Sequence, residues 1–292
     1  MLPRPCAPDP VACHPAVVTC KHVPLLALLL LASLLVGVAG PAHAAAVPTG
    51  LTAALSAPAS PGGRAGAIAG TVTPAEPGQP VTLQRYRGGT WYGVTRQPQS
   101  ATGTFRFVVA PDAIGEWSYR VTAGPLAREL PKLDVHRVFT YSVATRGTVG
   151  PEGAGFAAEV AATYADPRGW LRSHRRFARV ATGGDFTVVL AQASLVPTWS
   201  RSCSALYSCR VGRNVIINAD RWRSGARAFP GSLAQYRQMV LNHETGHWLG
   251  MGHASCPGRG RPAPVMQQQS KGMQGCAPNA WPLPGELSGV RR

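Results

Sequence analysis

His243-Glu244-Thr245-Gly246-His247-Trp248-Leu249-Gly250-Met251-Gly252-His253 organises the reading of this 292-residue chain. If the stretch opens on a helix, His243 and His247 lie one turn apart on the same face, so both imidazoles reach a single ion. Glu244, their immediate neighbour, projects beside that ion rather than onto it. Gly250 then ends the helix with a sharp, positive-φ turn that only glycine takes easily, and the chain swings His253 in as a third ligand. Three neutral imidazoles leave the ion its full charge and one open position, where a water would have its pKa lowered to about 7. Five fixed residues over eleven positions arise by chance in roughly one chain of this length in ten thousand.

Working outward, Ser232 followed by Gln235 is a capping-box pattern, so the helix is expected from Ser232 to Leu249. Upstream, His136–Thr145, Phe177–Ala181, Phe186–Gln192 and Val211–Asn218 read as strands. Pro151–Tyr164, with Phe156, Val160 and Tyr164 at helical spacing, reads as a helix. Strand, helix, several strands and a late helix predict an α+β domain over 132–292, a layer covered on one face. Val211–Asn218 is the expected edge strand, and loops such as Thr198–Arg210 are expected to wall the pocket.

Before that domain the grammar changes. Short β-prone runs (Ala67–Thr73, Pro80–Tyr86, Thr90–Thr95, Thr104–Ala110, Gly115–Thr122) alternate with Gly/Pro/Asp punctuation, which predicts an all-β sandwich over 64–130. Asp112 to Val121 is similar to the corner before a late strand of immunoglobulin-like domains, with Trp117 where the corner tyrosine usually lies. Residues 45–63 lack bulky side chains and read as a flexible linker. Residues 1–44 read as a secretory signal: Lys21 and His22, the apolar run Leu25–Ala39, then Ala42-His43-Ala44 as a small-x-small cleavage pattern. An uncleaved membrane anchor is the alternative. The run is shorter than the ~20 residues that span a bilayer.

Beyond the signal segment four cysteines remain, Cys203, Cys209, Cys256 and Cys276. In an exported chain they read as two disulfides with three possible connectivities, the local pairs Cys203–Cys209 and Cys256–Cys276 being favoured. The net charge of +16 comes from 29 basic against 13 acidic residues. Nearly all the basic residues are arginines scattered singly or in pairs, with no basic run, so nucleic-acid binding is not expected. An anionic cell envelope is the partner this charge suggests. Apolar residues at 45% are enough for a core and argue against general disorder. His136 and His174 stand without metal-ligand company and read as ordinary histidines. The sequence says nothing of oligomeric state.

His243 to His253 resembles the zinc signature of the metzincin clan of metallopeptidases. In that clan a tight turn follows, with a methionine beneath the metal, and Ala263-Pro264-Val265-Met266-Gln267 is similar to it. The stretch from His136 onward, with Cys256-Pro257-Gly258 and Pro264–Ser270, also resembles an uncharacterised family of secreted bacterial proteins classed as metzincin-like zinc peptidases. The resemblance implies a metzincin-like fold, a mixed twisted sheet over a long helix with the signature helix below the cleft. It also implies His243, His247 and His253 as Zn2+ ligands, Glu244 as general base and Met266 as the floor of the site. The implied activity is hydrolysis of peptide bonds in a protein or peptide substrate. Two departures stand out: Gln267 and Gln268 occupy the place after Met266 where some metzincins carry a tyrosine, and Ala254 follows His253. An enzyme acting on cell-wall peptides, or a non-catalytic envelope-binding protein with structural zinc, are the competing readings. The β domain reads either as a binding module or as an inhibitory prosegment, with Asp112 or Asp134 able to reach the ion.

Overall fold

The computed structural model describes residues 46–55 and 66–292; the signal segment and the rest of the expected linker lie outside them. Fourteen strands and four α-helices follow in the order β1 (Gly50–Leu55), β2 (Gly66–Thr73), β3 (Pro80–Arg87), β4 (Thr90–Pro98), β5 (Thr104–Val109), β6 (Gly115–Trp117), β7 (Tyr119–Ala123), β8 (Leu126–Glu129), β9 (Leu133–Val135), β10 (Arg137–Arg146), α1 (Gly153–Ala165), β11 (Arg175–Arg179), β12 (Phe186–Ala191), β13 (Cys209–Val211), β14 (Asn214–Asn218), α2 (Ala219–Ser224), α3 (Leu233–Trp248) and α4 (Pro284–Leu287). The result is a mixed α and β architecture, rich in sheet.

The amino-terminal half pairs its strands antiparallel into sheets of order β1-β2-β5 and β4-β3-β7-β8, with the short pair β6-β9 alongside. Alternation along each strand puts one side inward: Ile68, Val72, Phe105 and Phe107 from one sheet meet Val81, Leu83, Tyr119 and Val121 from the other in one core. Trp117 is buried there, and its indole Nε1 donates to the Ala113 carbonyl at 3.0 Å, tying the corner back four residues upstream. Arg85 lies over the Trp117 ring, 3.3 Å from its centroid. The expected linker needs correction. Gly50–Leu55 is a strand in full register with β2, from Gly50 opposite Thr73 to Leu55 opposite Ile68. Its small side chains carry little β propensity; main-chain pairing and the packing of Leu51, Ala53 and Leu55 against the core hold it. The expected run Gly115–Thr122 is likewise two strands, divided at Ser118.

The carboxy-terminal half is a five-stranded mixed sheet of order β11-β10-β12-β14-β13, parallel throughout except for β13 against β14. Buried parallel strands read as continuous apolar runs rather than alternations, as in Phe186–Ala191 and Val215–Ile217. Val188, Leu190, Val215 and Ile217 face a core shared with α1 and α3, built around Trp248, which stacks on Phe186 at 4.3 Å and meets Phe139 edge-on at 4.9 Å. The alternate residues Val189, Ala191 and Ile216 face a second cluster with Val196 and Cys203. Both faces are therefore covered, not one, because the loop after β12 folds over the sheet. The expected strand Val211–Asn218 is a two-strand hairpin: Val211 pairs with Asn214 around Gly212, whose positive φ of 56° suits the first position of a two-residue turn. The edge strand is thus β13 rather than the longer run.

Helix α3 opens as the sequence predicts. Ser232 Oγ accepts from the Gln235 amide at 3.2 Å, and Gln235 Oε1 accepts from the Ser232 amide at 2.9 Å. Its end is a Schellman motif. The Gly250 amide donates to the His247 carbonyl and the Met251 amide to the Gly246 carbonyl, with Gly250 at φ 96°. Among the described residues no helix is long and apolar enough to cross a membrane.

Candidate metal centre

The two ends of this machinery orient two imidazoles. His243 Nδ1 donates to the Val265 carbonyl at 2.8 Å, and His247 Nδ1 donates to the Met251 carbonyl at 2.9 Å, a carbonyl presented by the Schellman turn. With Nδ1 protonated, each Nε2 is a bare lone pair. His247 Nε2 stands 3.2 Å from His243 Nε2 and 3.1 Å from His253 Nε2. Lone pairs facing each other at that range repel unless a cation lies between them. Three nitrogens about 2.0–2.1 Å from a tetrahedral zinc would stand about 3.3–3.4 Å apart, so the tripod is already near the spacing a metal requires. His243, His247 and His253 can therefore hold a metal ion.

Protonation favours the same role. Burial, aided by the neighbouring imidazoles, lowers His243 to about 3, and burial also lowers His247 and His253. All three are neutral at pH 7, as metal ligands must be. Exposure rises along the series, from the buried His243 to the exposed His253, so the site opens on one side.

Close packing by Met266 explains the glycine at 246, in the last turn of α3. A Cβ there would come within 2.3 Å of Met266 Sδ and 3.0 Å of the Trp170 ring. Met266 is fully buried and packs into the space that Gly246 leaves on the ligand helix. The Met266 carbonyl accepts from the Ala254 amide at 3.0 Å, fastening the turn to the residue after His253. Beneath the turn lies Glu286, which the sequence did not single out. Its carboxylate accepts from the Met266 amide at 2.8 Å, the Val265 amide at 3.0 Å and the Leu283 amide at 2.8 Å. Gln267 and Gln269 brace the same loop, their side-chain amides donating to the Met273 carbonyl at 2.9 Å and the Asn279 carbonyl at 2.7 Å. Cys256–Cys276 closes a ring with Met266 at its middle, and Cys203–Cys209 ties the loop leading into β13. Both disulfides are the local pairs favoured above.

Glu244 is buried beside the tripod, and burial pushes its carboxyl up to about 8, with Arg210 pulling the other way. It borders a cleft of about 360 Å³ shared with all three histidines. Ser202, Tyr207 and Arg210 on the loop and edge strand form one wall, as expected for Thr198–Arg210; Gln268, Ser270 and Lys271 form another. Among the described residues Glu244 is the sole acidic group lining it. Arg210 ends the loop expected to wall the pocket, but nothing in the sequence marked its charge for the site. Lys271 was not legible at all, because only the chain's path brings it to the cleft.

The prosegment reading loses its proposed blocker. Asp134 is held away from the histidines by His174 Nδ1 at 2.6 Å and Arg176 at 2.9 Å, which lower its carboxyl against the opposing effect of burial, and neither Asp134 nor Asp112 lines the cleft. His136 and His174 lie outside the metal cluster, and His174 is hydrogen-bonded to Asp134.

Residues 111–284, which begin just before β6 and take in every residue lining the cleft, match the profile of a family described as protein of unknown function (DUF3152). No curated protein matches. Among solved structures, the D0–D1 domain of intimin matches at 15% identity and a TM-score of 0.26 over 33% of this chain, which spans 57% of that one; the likeness is too slight to carry an argument.

Proposed function

The chain belongs to the DUF3152 family, and for this member we propose an exported zinc-dependent metallopeptidase of metzincin-like architecture that hydrolyses peptide bonds in protein or peptide substrates. The observation that carries the reading is the tripod of converging Nε2 atoms with a buried carboxyl, Glu244, next to it in an open cleft. Zinc suits three imidazoles and no thiolate; bound there, it would supply Lewis acidity to a carbonyl and lower the pKa of a water. Glu244 takes the proton from the attacking water and returns it to the leaving amine. A cation beside Glu244 offsets the burial that otherwise keeps it protonated, so the base is available at neutral pH. The edge strand β13 offers unpaired main-chain groups beside the cleft, along which an extended substrate can pair. Met266, seated on Gly246, floors the site in the manner of the metzincin turn.

A structural zinc is less well supported, since such sites normally take a fourth protein ligand and the described cluster offers three. The two disulfides support an extracytoplasmic location. The antiparallel sandwich with its Trp117 corner supports an immunoglobulin-like reading of the amino-terminal half. The purified chain should cleave an unfolded protein substrate, lose that activity to a chelator and regain it with zinc. Glu244→Gln should keep the zinc and lose at least ~100-fold in rate. Full activity in a zinc-loaded Glu244→Gln variant would overturn the assignment.

A further inference from the structure

The cleft carries two cations, and among the described residues Glu244 is the one acidic side chain that lines it with them. Arg210 sits on edge strand β13 opposite Val215, lining the cleft beside Glu244. Its Nε is buried and has no hydrogen-bond partner. A buried N–H left unpaired is costly, because water cannot reach it to replace the missing partner. Lys271 reaches the cleft from the opposite wall, its ammonium 5.4 Å from the Tyr207 ring centroid. Among the described residues neither forms an ion pair, although Arg168, Arg176, Arg223 and Arg237 elsewhere all do. Apart from Glu244 and the three histidines, the rest of the polar lining is hydroxyls and amides that can complete hydrogen bonds to an anion without opposing its charge.

We infer that Arg210 and Lys271 form an anion-binding subsite beside the metal centre and select peptides bearing side-chain carboxylates close to the bond held there. This rests on the peptidase reading of the same site and adds its substrate class: acidic rather than basic or apolar segments. Arg210 fits a carboxylate in a forked, two-bond pose, and Lys271 adds a flexible second charge. An acidic segment laid along β13 would place its carboxylates within reach of both walls.

The test measures binding and cleavage separately. The zinc-loaded Glu244→Gln chain is titrated calorimetrically with a hexapeptide, AAEEAA, blocked at both ends, and with its glutamine counterpart AAQQAA. The acidic peptide should bind about tenfold tighter at low salt, the preference shrinking as salt screens it. Adding Lys271→Gln, an exposed site, should remove part of the preference, and Arg210→Gln with Lys271→Gln should abolish it. Equal affinities, no binding of either peptide, or a preference intact in the double variant would overturn the inference. Failure of the wild-type chain to cleave AAEEAA, with the preference intact, would refute the peptidase reading and leave the subsite standing.

Discussion

Glu244→Gln should make the metal-free protein more stable, by an amount that depends on pH. Glu244 is buried, and its carboxyl titrates at about 8 in the folded chain against an ordinary 4.5. A folded-state value above the unfolded one means the folded chain holds a proton that the unfolded chain has released. The group therefore opposes folding increasingly as pH rises from 4.5 towards 8. At pH 7 the 2.5-unit gap corresponds to about 3 kcal/mol; at pH 5 it is below about 1 kcal/mol. Glutamine has nearly the same shape and never ionises, so it removes this cost. Urea unfolding of both chains in excess chelator should show the midpoint of the variant raised by about 1 M at pH 7 and scarcely moved at pH 5. A saturating metal should cancel most of the advantage, because a neighbouring cation favours the carboxylate in the wild type. A variant no more stable than wild type at pH 7, or equally stabilised at both pH values, would refute the argument that Glu244 is held in a desolvated site beside the tripod.

Three further perturbations probe the scaffold. Gly246→Ala drives a Cβ into Met266 Sδ and should cost about 1–3 kcal/mol by overpacking while weakening metal affinity, both readable by thermal unfolding with and without metal. Glu286→Ala strips the acceptor from the Val265, Met266 and Leu283 amides and should cost about 2–5 kcal/mol; since Val265 also holds His243, metal affinity measured by competition with a chelating dye should fall too, and Glu286→Gln should recover part of both losses. Replacing Cys256 and Cys276 together by serine opens the ring around Met266 and should lower stability by about 3 kcal/mol in denaturant titration.

The late helix and its cap were legible because Ser232, Gln235 and Gly250 act locally, through main-chain groups within a few residues of themselves. Apolar periodicity gave little help. From Met239 to Gly246 the helix is buried all round, and Asn242, His243, Glu244 and Thr245 occupy positions that a core helix would fill with aliphatics. The strand Gly50–Leu55 was read as linker because its residues gain order only from a partner more than a dozen residues away. Lys271 and Glu286 left no local signal either, and Arg210 only its place at the end of the loop expected to wall the pocket. Glu286 reaches Met266 from twenty residues downstream, and Arg210 earns its place through a hairpin whose outer strand is only three residues long. Buried clamps of this kind are set by tertiary placement.

The central claim, three imidazole nitrogens around one zinc with a solvent-facing corner, is most directly tested by zinc X-ray absorption on the loaded chain. The expected spectrum has four light ligands at about 2.0–2.1 Å, three with the multiple-scattering signature of imidazole, and no sulfur shell. An imidazole count of two that His253→Ala leaves unchanged, or a sulfur shell near 2.3 Å, would contradict it.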